Sequence, residues 1–254
     1  MTRSRPYYGA GGLSALFYDV VTGADAHLAG DVEIYADLAP AGGAVLELGT
    51  GSGRIAFALA ERGLAVTGID LAPAMLARAK ARLAEAAAPV RERLEFRLGD
   101  MTALDLKRTF DLVLCPYFTL AHVPAGAAWR NTFAVMARHL ASGGACAVHL
   151  PLAELMAGPG PPPEAVVLDQ PLPGGGRLQL HVLERRYRPD IGRLDQVMDY
   201  VERNAGGQVL RRSAERLSYW TADPRPFAKA AGLVPDRPPQ RLGGVGDIWV
   251  FRRE

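Results

Sequence analysis

The chain is poor in the features that mark several functional classes. It has two cysteines in 254 residues, Cys115 and Cys146. Both fall in apolar stretches that read as buried strands, so the pattern argues against a disulfide scaffold and for reduced thiols in a cytoplasmic setting. No CxxC pair or HExxH-type motif supplies a metal set, and no metal is expected. No apolar run reaches the roughly 20 residues that cross a bilayer. The first residues, MTRSRPYYGAGG, lack the apolar segment of a secretory signal. The net charge is only +2, so nothing global asks for nucleic acid or an anionic membrane as partner. Lysine is scarce beside arginine and alanine is abundant, which reads as compositional bias. What remains is ordinary for a globular protein: 49% hydrophobic and 22% charged residues, enough to bury a sizeable core. The length fits one α/β domain carrying an insertion better than two independent domains.

The most informative stretch is Ala44 to Arg54, AVLELGTGSGR. A short apolar strand breaks into glycines at alternate positions, Gly49, Gly51 and Gly53, and a helix over 55–62 follows. Glycines let a backbone approach a ligand closely, and N–H groups at a helix start are expected to point outward. A nucleotide-type cofactor is the first expectation. The dinucleotide fingerprint G-x-G-x-x-G needs a third glycine where this chain has Arg54. Glu47, at the end of the strand, would repel a pyrophosphate and suit a ligand that carries positive charge.

ELGTGSGR resembles motif I of the class I S-adenosylmethionine (SAM)-dependent methyltransferases. The resemblance implies an α/β fold: a doubly wound, mostly parallel seven-stranded sheet, Rossmann-like, here with an inserted antiparallel β-sheet. It implies SAM as cofactor, S-adenosylhomocysteine as product, and cofactor contacts from Glu47, Gly49, Thr50, Gly51, Gly53 and Arg54. A second strand over 65–69 delivers Asp70 about twenty residues past Gly49, where a carboxylate can accept from both ribose hydroxyls. Leu71 and Met75 stand beside it as candidates to pack on the adenine. Pro73 suits the first turn of the next helix, and Gly63 is placed to end the previous one. After a third strand over 94–98, Asp100 and Met101 occupy the positions that meet the adenine in the resembled family. A fourth strand over 110–115 ends at Cys115 in CPYFTLAHV, similar to the family loop that borders the methionine part and the substrate. Tyr117 and His122 in that loop, with His149 at the end of a fifth strand over 145–150, are the candidate catalytic residues, able to assist as general base. Trp129, Phe133, Met136 and Leu140 are spaced as the core stripe of the intervening helix.

Residues 1–40 are expected to form an N-terminal helical arm or lid. In it Pro6, Tyr7, Tyr8 and the nearby glycines read as flexible, Asp31 as a helix N-cap, and Tyr18, by the resemblance, as a neighbour of the methionine moiety. Residues 41–150 and 221–254 form the expected core. Residues 151–176 are rich in proline and glycine and read as a linker or lid without strand or helix. Three strands over 177–188, 192–204 and 208–220 then form an antiparallel insert, a substrate lid or a dimer contact. In the insert Arg185, Arg186, Arg188, Arg211 and Arg212 could meet an acidic substrate or line a solvated face. The end of the chain, with AKAAGLVPD and a last strand over 246–251, resembles the end of the methyltransferase fold. The function implied is methyl transfer to a nitrogen or oxygen of a small molecule, with a homodimer through the insert left open. The alternatives are an RNA or protein methyltransferase, a SAM-binding protein without transfer activity, and a nicotinamide-binding protein.

Overall fold

The computed structural model describes residues 4–254, which divide into two compact units: 4–26 with 153–220, and 27–152 with 221–254. Residues 1–3 of the expected arm lie outside the described residues. No helix among the described residues is long and apolar enough to cross a membrane.

The chain begins with β1 (Arg5–Pro6), α1 (Leu13–Leu16), α2 (Tyr18–Gly23) and α3 (Asp31–Ala36). The alternation of strand and helix follows: β2 (Ala44–Leu48), α4 (Arg54–Glu61), β3 (Ala65–Asp70), α5 (Pro73–Glu85), α6 (Ala88–Arg91), β4 (Leu94–Leu98), β5 (Phe110–Cys115), α7 (Ala127–His139) and β6 (Leu140–Pro151). The inserted part contains α8 (Ala153–Ala157), β7 (Leu168–Pro171), β8 (Arg177–Arg188), β9 (Arg193–Arg203) and β10 (Val209–Trp220). The chain ends with α9 (Arg225–Ala230), β11 (Leu233–Pro235), β12 (Gln240–Leu242) and β13 (Gly246–Arg253).

In the unit of 27–152 and 221–254 the strands run in the order β11-β13-β6-β5-β2-β3-β4, with β12 paired on the outside of β13. The five from β6 to β4 are parallel, and β13 is antiparallel between β6 and β11. This is the doubly wound seven-stranded path, with β12 as an eighth, short member. Strands covered on both faces read as apolar runs, and β5 does so from Leu112 to Cys115, all fully buried, after Asp111 at its entry. Of the stripe expected on α7, Trp129, Phe133 and Met136 are each buried in the cluster that covers one face of the sheet; Leu140 is buried there too, but it opens β6 and is not part of the helix. The end of α4 shows why Gly63 is there. The Leu64 N–H reaches the Leu59 carbonyl and the Gly63 N–H the Ala60 carbonyl, with Gly63 at φ 90°. That pair of bonds requires a left-handed residue after the helix.

Three expectations need correction here. Residues 1–40 are not one arm, because 4–26 belong with the insert and 27–40 with the mostly parallel sheet. Residues 5–12 are not a free arm either. β1 pairs in parallel with β10, and Tyr7 shares a 2.7 Å hydrogen bond with the Tyr200 hydroxyl. The buried Glu215 accepts from the Leu13 and Ser14 N–H groups and from the Ser14 hydroxyl, pinning the start of α1 to β10. The 151–176 stretch is not all linker, since α8 and β7 lie in it. Four residues, LDQP, are too few for alternation to mark a strand, and β7 is held by its pairing to β8. The three long insert strands otherwise match their expected spans within one residue, giving the sheet order β1-β10-β9-β8-β7.

Glu215→Ala is expected to leave three donors without their acceptor, costing about 2–4 kcal/mol. Limited proteolysis should show residues 4–16 becoming cleavable while fragments from 27–152 keep their protection; an unchanged pattern would show that β1 pairing alone holds the segment.

Candidate active site

The glycine loop after β2 is folded by bonds to itself and to the end of β3. Gly49, Gly51 and Gly53 have φ of 74°, 59° and 87°, a region that side chains rarely adopt. At Gly49 a second constraint applies, because a Cβ there would lie 2.1 Å from the Thr119 methyl. The N–H groups of Gly49 and Thr50 both donate to the Ile69 carbonyl, at 2.7 and 2.9 Å, and that of Gly53 to the Thr50 carbonyl at 2.9 Å. Asp70 completes the ring: Oδ2 accepts from the Gly51 N–H at 2.7 Å, and Oδ1 from the Ala72 N–H at 2.8 Å. The outward N–H array expected from the glycines is therefore not formed at these four positions. Their donors are spent inside the loop.

Glu47 lies beneath this loop, only 1% exposed. Its Oε2 accepts from the Thr50 hydroxyl at 2.7 Å, and its carboxylate also accepts from the Ala56 N–H in the first turn of α4. The helix N-terminus, where a phosphate would bind in a dinucleotide site, is thus filled by a carboxylate of the protein itself. Burial pushes the Glu47 pKa up from 4.5 to about 7 against the lowering effect of those hydrogen bonds. Asp70, partly buried, is raised as well, again through desolvation. Arg54 supplies positive charge nearby. Its guanidinium makes a two-armed pair with the buried Asp31, one arm at 3.0 Å, and stands 5.9 Å from the Tyr117 ring centre. Asp31 is not an N-cap: Gly30 holds that position at φ 89°, and Asp31 is the first residue of α3.

The loop after β5 carries strain. Tyr117 and Phe118 are consecutive large residues in the left-handed region, at φ 45° and 61°, a conformation that costs energy and that clusters at functional sites. Packing holds it there. The Phe118 N–H donates to the His149 carbonyl at 3.1 Å, the Phe118 ring lies 4.6 Å from the His149 ring, and the Tyr117 ring stacks on Phe118 at 5.6 Å. His149 is fully buried, and a Cβ on Gly246 of β13 would lie 2.4 Å from its Nε2. His122 ends the short 3-10 turn Thr119–His122 that follows. It keeps some surface, yet protein surrounds it, and burial pushes its pKa down to about 4.

The structure brings Glu47, Gly49, Thr50, Gly51 and Asp70 into one bonded ring with Gly53 and Arg54 at its margin, and joins Tyr117 to His149 through Phe118. Leu71 is 67% exposed beside Asp70, whereas Met75 is buried at 1%. Asp100 is exposed and spends Oδ1 on the Thr102 N–H and hydroxyl, both at 2.8 Å; Met101 is half-buried next to it. Cys115 is fully buried at the end of β5, its thiol pKa raised by desolvation. Cys146 is pushed up to about 12 for the same reason. Tyr18 belongs to the other unit, where it meets Tyr8 edge-on at 5.8 Å. Sequence reasoning missed Leu98, 63% exposed and paired in register with Asp70, and Thr119, which closes over Gly49. An apolar residue at the very end of a strand was the available signal for the first; nothing local announced the second.

Glu47 generates a stability prediction. Its pKa in the folded protein lies above the ordinary value, so the folded state holds a proton that the unfolded chain has released. Its contribution is intact below pH 4.5 and falls as pH rises to about 7. The full loss is on the order of 3 kcal/mol. Urea unfolding of wild type and Glu47→Gln at pH 5 and pH 8 should show the wild type losing stability relative to the variant at the higher pH. Parallel pH profiles would mean that Glu47 ionises normally.

Residues 45–144 match the family model described as a methyltransferase domain. No curated protein is significantly similar in sequence. Among solved structures, the CcbJ methyltransferase of Streptomyces caelestis superposes with a TM-score of 0.75 at 20% identity, over 99% of each chain. SAM-bound CalS10 of Micromonospora echinaspora, an amino pentose methyltransferase, gives 0.69 at 22% identity over 94% of this chain and 97% of its own. The glycopeptide N-methyltransferase MtfA with S-adenosylhomocysteine gives 0.61 at 22% identity, over 88% and 86%. Residues 45–144 thus match a methyltransferase domain, and the strand order with the glycine ring closed by Glu47 and Asp70 sets it in a fold shared with solved methyltransferases, SAM-bound CalS10 among them.

Proposed function

We propose that the protein transfers a methyl group from SAM to a nitrogen or oxygen nucleophile of a small molecule, with an amino nitrogen the favoured acceptor. The observation that carries the cofactor half is the Glu47 carboxylate seated at the start of α4. A pyrophosphate would meet a negative group where it needs free N–H donors. A ligand with a sulfonium and an ammonium and no phosphate is instead favoured by the same charge. Asp70, at the carboxyl end of β3, has the chemistry to accept from a ribose diol, and the exposed Leu71 and Leu98 flanking it offer apolar cover for a purine. Support for an amino acceptor comes from the neighbours described as an amino pentose methyltransferase and a glycopeptide N-methyltransferase.

When bound, SAM supplies a methyl group on positive sulfur, activated for in-line attack. The protein's own contribution is to hold a nucleophile in line in a water-poor site. The strained Tyr117–Phe118 turn, braced by His149, is suited to fix the loop that faces the acceptor, which makes His149 a positioning residue. His122, with a pKa of about 4, is neutral at physiological pH and a weak base. It can accept a hydrogen bond from an acceptor N–H, while the ammonium proton leaves to solvent before transfer.

Calorimetric titration should show SAM and S-adenosylhomocysteine binding to wild type and weakened about tenfold or more by Asp70→Ala, as expected for loss of charge-assisted hydrogen bonds. Affinity for NADH with none for SAM would overturn the reading. With an acceptor in hand, His122→Gln should keep kcat within about tenfold and leave the pH profile in place. A lost acidic or basic limb would restore His122 as the general base.

A further inference from the structure

The insert sheet carries a cavity of about 640 Å³ that the methyl-transfer reading does not use. It lies within the unit of 4–26 and 153–220, and its lining carries four arginines, Arg185, Arg186, Arg193 and Arg216, against two carboxylates, Glu184 and Asp195. Register places Arg186 opposite Asp195 and Asp195 opposite Ser218, while Glu184 and Arg216 flank Val197 in the row two residues along. Strand alternation therefore puts Glu184, Arg186, Asp195, Val197 and Arg216 on one face of the sheet.

The insert's arginines admit two readings, an acidic-substrate site or a solvated face, and most are satisfied within the sheet and fit neither as one broad cluster. Arg211 pairs with Glu202 and Arg212 with Asp199. Arg188 and Arg193 share Asp195, and Arg193 also donates to the Ser218 hydroxyl. Arg185 is spent on the backbone. Its guanidinium donates to the carbonyls of Leu155 at 2.7 Å, Met156 at 3.1 Å and Gly158 at 3.3 Å. That anchors the segment whose Gly160, Pro161 and Pro163 form the rim. Gly160 lies close enough that a Cβ there would be 2.6 Å from the Arg185 Cδ. Arg186 and Arg216 differ. Both are exposed at the cavity and neither guanidinium has a hydrogen bond or ion pair among the described residues. With Asp195 neutralised by two guanidiniums, the cavity holds surplus positive charge over an apolar floor at Val197, 2% exposed.

We propose that this cavity is a binding site for a small molecule bearing a carboxylate or phosphate group, gripped by Arg186 and Arg216. Guanidinium forks match both oxyanions bidentately, and the volume falls in the range of small-ligand sites, roughly 300–1,000 Å³. A concave site with charged walls and a short apolar floor suits such a ligand better than a flat protein partner. Glu184, on the same face, opposes the anion and sets a limit on affinity. The proposal concerns this unit alone and does not rest on the methyl-transfer reading.

The test is calorimetric titration of the full chain with inorganic phosphate and, separately, with malonate, on wild type and single variants. Binding of either anion is expected; preference for phosphate assigns a phosphorylated ligand and preference for malonate a carboxylic acid. Arg186→Gln and Arg216→Gln should each weaken it about tenfold. Glu184→Gln should tighten it, a gain that a folding defect would not produce, and Arg211→Gln, outside the cavity, should leave it unchanged. Absence of binding by both anions overturns the proposal, as does binding indifferent to both arginine variants. A third result would also sink it: no anion binding, with Arg186→Gln and Arg216→Gln shifting a monomer–dimer equilibrium in sedimentation, which would make this face a contact between copies of the chain.

Discussion

The structure of the cofactor region depends on one buried carboxylate. Glu47 joins three things that would otherwise be independent: the end of β2, the glycine loop through Thr50, and the first turn of α4 through the Ala56 N–H. Taking a carboxylate out of water is costly unless donors surround it. Here two donors are engaged and the pKa still rises to about 7, so the protein tolerates an incompletely compensated charge at its centre. A site of that kind is stabilised by a cation, and the expense in the ligand-free protein is recovered when positive charge arrives. The same group also closes the helix N-terminus to phosphate, so a single side chain both favours one class of nucleotide-derived cofactor and disfavours the other.

Asp70 extends that logic. Its two oxygens take the Gly51 and Ala72 N–H groups, which locks the glycine loop to the end of β3 and leaves the carboxylate at the sheet's carboxyl edge, where ligands of open α/β folds bind. The loop is thereby preorganised: its conformation comes from bonds within the protein and does not wait for the ligand. Arg54 keeps the local charge from becoming wholly negative, but Asp31 holds it in a two-armed pair. Its positive charge is thus committed to the scaffold.

What was legible in the sequence follows from how local each signal is. The parallel strands and their helices are announced by apolar runs of the right length, and β4, β5 and β8 appear at their expected bounds. The glycine loop is legible because its residues are contiguous. Elements that exist only through pairing are not. β1 has two residues and β7 four, and each is a strand because a long neighbour offers it a partner. The same holds for roles. Asp31, followed by a helical pattern, looks like a cap from its own neighbours, and only the approach of Arg54, 23 residues on, reveals its pairing. The arginines of the insert look alike in sequence; only the side-chain ion pairs, which give Glu202 to Arg211, Asp199 to Arg212 and Asp195 to Arg188 and Arg193, separate them from Arg186 and Arg216.

The loop after β5 shows how strain and burial divide the work of the proposed transfer site. Two successive large residues in the left-handed region would relax if nothing held them. His149 does so through its backbone carbonyl and its ring, and it is itself hemmed in by Gly246 of β13. That makes the antiparallel β13 a support of this loop, although no residue on it touches the glycine loop in any described bond. The burial that fixes this loop also lowers the basicity of His122. Tight packing and a strong general base therefore compete for the same few residues, and here packing has won. Such a balance suits methyl transfer from an already activated donor, in which the nucleophile brings its own lone pair and the protein's main contribution is alignment.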